Sequence, residues 1–477
     1  MLAETVALVP DVAVVLAIVV ILCLRSYLIE RTLEVRLLGA TILGLVALAL
    51  WIVFYGEGAR ILAGGVLIED SLSRMTQCVV LLASAAALAI GIEGGQRATA
   101  RDPYVAALVL LAVLGLLIVS SAGDLLVLFL GLQLYALPVY ALIAHRENSS
   151  KAIAAGLRAA LVGTVGSALV LFGIALVIAS AGTTLYTELA PLLTDSPGLL
   201  LSAGLALLIA GLAFYLALAP FHLWLQPALE AAPWPVVALM VGAAPLALFT
   251  ALARLVFVAF GDVAALWQPV LAAMGLLSVL AGAIAGFATD RLSHLLAAFA
   301  TLGAGFGLMA LSAGSADGVS AMIAQVALHA TALLGFIAFL SLLEKDGGAV
   351  ERLRDLNGYS EAQMFRAFAA LLILFSAAAM PPLAGFLVRF NVVQAMYDSG
   401  LIWQSLAGAG AMIVAGATFL RPAWRLYLAA DVSDTETRTA RLSDLVLVIS
   451  ALVALLSLLS LGGLEAAFEA AGARLER

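Results

Sequence analysis

The chain has 477 residues, 64% of them hydrophobic and 11% charged, with a net charge of −7 and a mean hydropathy of +1.15. That composition excludes a water-soluble globule and, with two cysteines, a disulfide-stapled scaffold. With no dinucleotide glycine fingerprint, P-loop or cysteine cluster, no cofactor (nucleotide, flavin, iron–sulfur cluster or metal) is expected in this chain.

Apolar runs of bilayer-spanning length recur from end to end. Fourteen spans are predicted, at about 8–25, 36–55, 73–93, 104–121, 124–144, 153–181, 199–220, 234–260, 266–288, 291–312, 318–343, 365–390, 401–428 and 442–463. Their length argues for an all-α polytopic membrane protein, because a transmembrane barrel would alternate in segments of about ten residues. The first span follows Met1-Leu2-Ala3-Glu4, which lacks the basic start of a cleavable signal, so it reads as retained. Four parts follow: N-terminal helices (1–103), a first five-span unit (104–260), a second (261–430), and a last helix with a tail (431–477). Cys23 and Cys78, in or near apolar runs, read as small buried hydrophobes. Asp124 reads as a helix-start charge at the surface, His145 as an interfacial loop residue, and 345–366 as a solvated loop.

The loops after odd-numbered spans, with the span ends beside them, carry 17 of the 23 basic residues, among them Arg97, Arg101, Arg146, Lys151 and Lys345. The positive-inside rule then places those loops in the cytoplasm and both termini on the opposite side, the periplasm of a bacterial inner membrane.

Two runs depart from simple spans. Residues 198–229 lack any Asp, Glu, Lys or Arg and are interrupted at Pro220 and Pro227; residues 367–397 hold only Arg389 and are broken at Pro381-Pro382. Both are too long for one ordinary crossing, and proline frees carbonyls that are tolerated at depth only inside protein or a wet cavity. Spans 7 and 12 are therefore expected to be discontinuous. Their odd separation of five crossings implies that spans 4–8 and 9–13 form an inverted repeat.

These residues resemble the antiporter-like membrane subunits of respiratory complex I, nearest to their subunit N branch. The similarity rests on Ser121-Ala122-Gly123-Asp124 with the span that follows, on Ala155-Gly156-Leu157-Arg158, on Pro220-Phe221-His222-Leu223-Trp224 with Glu230 and Pro233-Trp234-Pro235, and on Pro381-Pro382-Leu383-Ala384-Gly385-Phe386. The resemblance implies a membrane arm in which carboxylates and lysines pass protons along a hydrated axis, with other membrane subunits as partners, lipid around it and no nucleic acid.

The departures bear directly on that function. Where the family has its span 5 glutamate this chain has Gln133, and Arg158 stands at the span 6 lysine position. Tyr215 and Pro245 replace the lysines of spans 7 and 8, Ala300 a common span 10 histidine, and Arg389 the span 12 lysine. Glutamine and proline do not ionise, and a fixed arginine charge repels a travelling proton. His222, His294, His329 and Glu230 remain as proton-path candidates beside Arg158 and Arg389.

Three readings stay open: a subunit N-like component with an altered or lost relay, part of a multisubunit sodium/proton antiporter or another proton-coupled complex, or a purely structural membrane paralogue. If the chain serves an NADH:quinone oxidoreductase, the redox chemistry belongs to other subunits.

Overall fold

A computed structural model describes residues 7–25, 31–55, 60–93, 103–145, 149–192, 198–429 and 434–456. Loop residues Arg97, Arg101 and Arg146, and the end of the span expected to reach 463, lie outside the described residues. The helices are α1 Val9–Arg25, α2 Arg31–Tyr55, α3 Ser71–Glu93, α4 Pro103–Ser121, α5 Leu125–Ala144, α6 Ser150–Ala181, α7 Leu199–Tyr215, α8 Leu225–Ala231, α9 Trp234–Ala259, α10 Ala264–Ala288, α11 Leu292–Ser312, α12 Ala316–Ser341, α13 Met364–Ala377, α14 Ala384–Asp398, α15 Ile402–Leu428 and α16 Arg441–Leu456. Among the described residues ten helices are long and apolar enough to cross a membrane, and Val9–Leu24, α7 and α13 are shorter apolar helices.

The only strands among these residues are short. A hairpin of β1 (Arg60–Leu62) and β2 (Leu67–Glu69) covers one end of the bundle. At the other end β3 (Leu343–Lys345) pairs with both β4 (Gly348–Ala349) and β5 (Glu436–Thr437). The expected solvated loop at 345–366 is in fact an ordered cover: Leu353, Leu356 and Tyr359 are buried, and Lys345 bonds Asp355 at 3.0 Å. Cys23 is exposed rather than buried, and Cys78 is half-buried.

Within residues 103–259 and 264–428 several backbone bonds take the same form. Before α5, Leu125 N–H donates to Thr184 O (3.0 Å) and Tyr186 N–H to Gly123 O (3.0 Å); before α11, Leu292 N–H donates to Glu351 O (2.9 Å) and Leu353 N–H to Asp290 O (2.8 Å). Helices α6 and α12 are both capped by serines, Ser149 and Ser315, whose side chains accept from the third N–H along. Such a cap stabilises a helix start by about 1 kcal/mol.

Each broken span ends its first half in the same turn. Past α7, Leu218 N–H reaches back to Ala213 O (2.9 Å) and Phe221 N–H to Leu218 O (2.7 Å); past α13, Met380 N–H reaches Phe375 O (3.0 Å) and Leu383 N–H reaches Met380 O (2.9 Å). These bonds satisfy carbonyls that a helix end leaves open, and they hold Ala217 (φ 50°) and Ala379 (φ 58°) in left-handed geometry, which costs an alanine roughly 1–2 kcal/mol. The peptide bonds Ala219–Pro220 and Pro381–Pro382 are both cis.

Helix α9 carries a second irregularity. Pro245 has no N–H to offer the carbonyl a turn earlier and crowds it. Just before it the helix widens to π geometry over Leu239–Ala243, with Ala244 N–H bonded to Leu239 O. Bulges of this kind re-aim side chains and concentrate at functional sites.

Candidate functional site

The first break delivers Tyr215, the last residue of α7, to a ring of polar groups. Its hydroxyl lies 3.0 Å from Gln133 Oε1 on α5 and 2.8 Å from Ser167 Oγ on α6, and Ser167 Oγ is 2.8 Å from the same Gln133 oxygen. Two hydroxyl protons thus serve three contacts, so the ring can change which oxygen donates without any group ionising. Tyr215 is buried, while Gln133 and Ser167 are half-buried.

From Tyr215 a cavity of about 30 Å³ runs towards α11 and α12, lined by Tyr135, Tyr215, Pro245, Ala300, Gly303 and His329 among others. A water molecule needs about 10–15 Å³ of such space and polar partners. Three positions singled out in the sequence, Tyr215, Pro245 and Ala300, therefore line one space. Gly303 is required there, because a Cβ would overlap the His329 imidazole. Another close glycine contact lies between α5 and α6, where a Cβ on Gly163 would overlap the Tyr140 phenol.

His329, at the far wall, bonds through Nε2 to Phe299 O at 2.8 Å. A carbonyl only accepts, so Nε2 carries the hydrogen and Nδ1 is the acceptor nitrogen. Beyond it lies an aromatic cluster: Phe299 stacks on Phe419 at 3.9 Å, and His329 meets Phe419 edge-on at 6.0 Å.

Arg389 on α14 closes this end. It is 2% exposed, donates from Nη2 to Ala377 O (2.6 Å) and lies over the rings of Phe306 (4.7 Å) and Phe419 (5.5 Å). Ala377 is the last residue of α13, so the charge rests on the negative end of a half-helix and on two ring faces. Its Nη1 is buried without a partner.

The other candidates fall outside this axis. Glu230, at the end of α8, accepts from Lys151 (2.6 Å) and meets Arg291 (2.7 Å) and His294 (3.2 Å), tying the start of α6 to the start of α11. Burial would raise its carboxyl, but the bonds from Lys151 and His294 and the charges of Lys151 and Arg291 outweigh it and hold Glu230 below the usual carboxylate range. Lys151 is thus in a helix's first turn rather than a loop. His222 is half-buried in the turn after Pro220, with Nδ1 buried and unpartnered. Arg158 is exposed on the outward side of α6 and does not join the cavity.

Sequence reasoning missed Ser167, the link between Gln133 and Tyr215, and a buried ion pair at the hairpin end. There Arg254 makes two 3.0 Å bonds to Asp70, and Gln77 donates to Glu69 at 2.7 Å. Burial would raise Asp70, but the charge and bonds of Arg254 and the bonds of Ser73 hold it below the ordinary range, whereas burial pushes Glu69 up to about 7. Asp124, expected at the surface, is 6% exposed and caps α5 through bonds from Leu126 and Val127 N–H.

A family model described as NADH:quinone oxidoreductase/Mrp antiporter, transmembrane, matches residues 122–414. The chain is 34% identical over 441 residues to NADH-quinone oxidoreductase subunit N of Rhodobacter capsulatus, covering 92% of each. It is 33% identical over 443 residues to the subunit of the same name from Jannaschia sp. strain CCS1, covering 91% of this chain and 92% of that one. Among solved structures it superposes on a chain of respiratory complex I from Thermus thermophilus with a TM-score of 0.83 at 24% identity, covering 96% of this chain and 99% of that one. A chain of the Mrp complex from Dietzia sp. DQ12-45-1b gives a TM-score of 0.85 at 20% identity, covering 100% and 98%.

Proposed function

The chain belongs to the NADH:quinone oxidoreductase/Mrp antiporter family of membrane subunits, and from that premise we propose that it serves a complex I-type membrane arm while translocating few or no protons itself. It is a subunit N-like member, and its relatives at 33–34% identity bear that name. In this reading the chain crosses a bacterial inner membrane fourteen times with both termini in the periplasm, and its two five-helix units insert in opposite senses. The matched bonds before α5 and α11 and at the two breaks support the repeat. The chain holds no cofactor, and neighbouring subunits carry out the redox step.

The observation that carries the altered relay is the Gln133–Ser167–Tyr215 ring, which stands where the family resemblance expects a carboxylate and a lysine. A ring of neutral groups can reorient and pass hydrogen bonds, but it cannot store the charge that drives a neighbour. The uninterrupted polar wall such a relay needs is also broken by Pro245 and Ala300.

The test of assembly is purification of the native complex through a tag on this chain. Other antiporter-like subunits and NADH:quinone oxidoreductase activity should come with it. Recovery of the chain alone as an active sodium/proton antiporter in liposomes would overturn the reading.

A further inference from the structure

We propose that the second break is shut to protons by an aromatic plug with a fixed charge behind it, so that the polar chain of the first unit ends blind at His329. The proposal rests on reading the chain as an antiporter-like subunit. The plug is Phe299, Phe306 and Phe419. Phe419 meets both the imidazole of His329, at 6.0 Å, and the guanidinium of Arg389, at 5.5 Å, and Phe299 lies stacked against it.

The charge at the plug has no ion-pair partner among the described residues. Among the described residues of the second unit, the charged groups other than Arg389 sit towards helix ends or between helices: Asp290 and Arg291 before α11, Asp317 at the start of α12, the eight charged residues of 344–361 between α12 and α13, Arg366 at the start of α13, Asp398 at the end of α14, and Arg421 and Arg425 in the last turns of α15. Among the described residues no carboxylate bonds to Arg389, whose contacts are the Ala377 carbonyl and two phenylalanine rings. Arginine does not discharge at any accessible pH. A proton leaving the cavity past His329 would therefore cross dry aromatic packing towards a permanent cation, and such a constriction and such a charge each bar ions in selective pores.

This arrangement explains how the guanidinium is accommodated. Its attraction is spread over the Ala377 carbonyl and two ring faces, which hold a cation without supplying a group that could take the proton onward.

The test uses the intact complex in proteoliposomes, without electron flow, with an imposed pH step followed by an entrapped pH dye. Arg389→Met keeps the volume and removes the charge. Passive proton equilibration should accelerate about tenfold or more over the native complex, and adding His329→Phe should return it to the native rate. Arg389→Lys, a cation that can release a proton, is the variant that disturbs packing least and should lie between the two. Potassium leak should stay at the native level throughout. Native proton rates in both Arg389 variants, with the subunits still co-purifying, would overturn the plug and leave the assembly reading standing. A leak that admits potassium equally and ignores His329 would also overturn it, as a packing defect.

Discussion

At the first break α7 ends on Tyr215 and its phenol enters a ring with Gln133 and Ser167; at the second, α13 ends on Ala377 and its carbonyl accepts from Arg389. The turns that follow share their backbone bonds and a left-handed alanine. What surrounds them differs: hydroxyls and an amide in one unit, phenylalanines and a guanidinium in the other. Proline and the helix end dictate the turn, whatever side chains line it. A broken helix is therefore weak evidence of conduction, and the side chains at its end have to be read separately.

The two units also differ in how they are anchored, and this gives the largest expected effect. Arg254 of the first unit is buried against Asp70, at 1% and 10% side-chain exposure, whereas Arg366 of the second pairs with Asp444 at 15% and 33%. Arg254→Met leaves a carboxylate buried and unpaired, which costs about 3–5 kcal/mol, and the complex should be largely lost from membranes. Adding Asp70→Asn should recover much of it. Asp444→Asn should cost about 1 kcal/mol or less because solvent screens that pair. Complex abundance and thermal melting would check all three, and equal losses at both anchors would erase the contrast.

A smaller effect compares the two glycine contacts. Gly163→Ala strikes Tyr140 and Gly303→Ala strikes His329, and overpacking of this kind costs about 1–3 kcal/mol. Similar melting shifts are expected, but only Gly303→Ala should alter the proton leak opened by Arg389→Met, because only it displaces a group lining the cavity.

Between the units lies the smallest effect, at Glu230. Its carboxyl is held below the usual range in the folded chain, so its contribution is present above the ordinary carboxylate pKa and lost as pH falls through the lowered value. With Lys151 70% exposed, that contribution is about 1 kcal/mol at most. Melting temperature should fall on acidification, and Glu230→Gln should flatten that part of the curve. An unchanged slope in the variant would remove Glu230 as a tie between α6 and α11.

Much of the architecture was legible in the sequence because apolar run length and proline placement are local signals. Gln133, Tyr215, Pro245 and Ala300 were legible as departures from a resembling family, but that three of them line one cavity was not, since packing decides which faces meet. Ser167 was hidden because α6 is apolar on nearly every side, so periodicity could not orient it, and for the same reason Arg158 was not seen to face outward. The partner of Arg254 was out of reach because Asp70 lies 184 residues away. Residues 345–366 looked solvated from their charges, several of which are exposed, but Leu353, Leu356 and Tyr359 are buried beneath them and Lys345 of β3 bonds Asp355.

On the function proposed above, this subunit adds little to proton translocation. The direct measurement is the proton-per-electron ratio of the intact complex in proteoliposomes, native against a chain carrying Gln133→Leu, Tyr215→Phe and His329→Phe. The same ratio is expected in both at equal NADH:quinone turnover. A clear drop in the variant, with all subunits still present, would show that protons do pass along these residues and would contradict it.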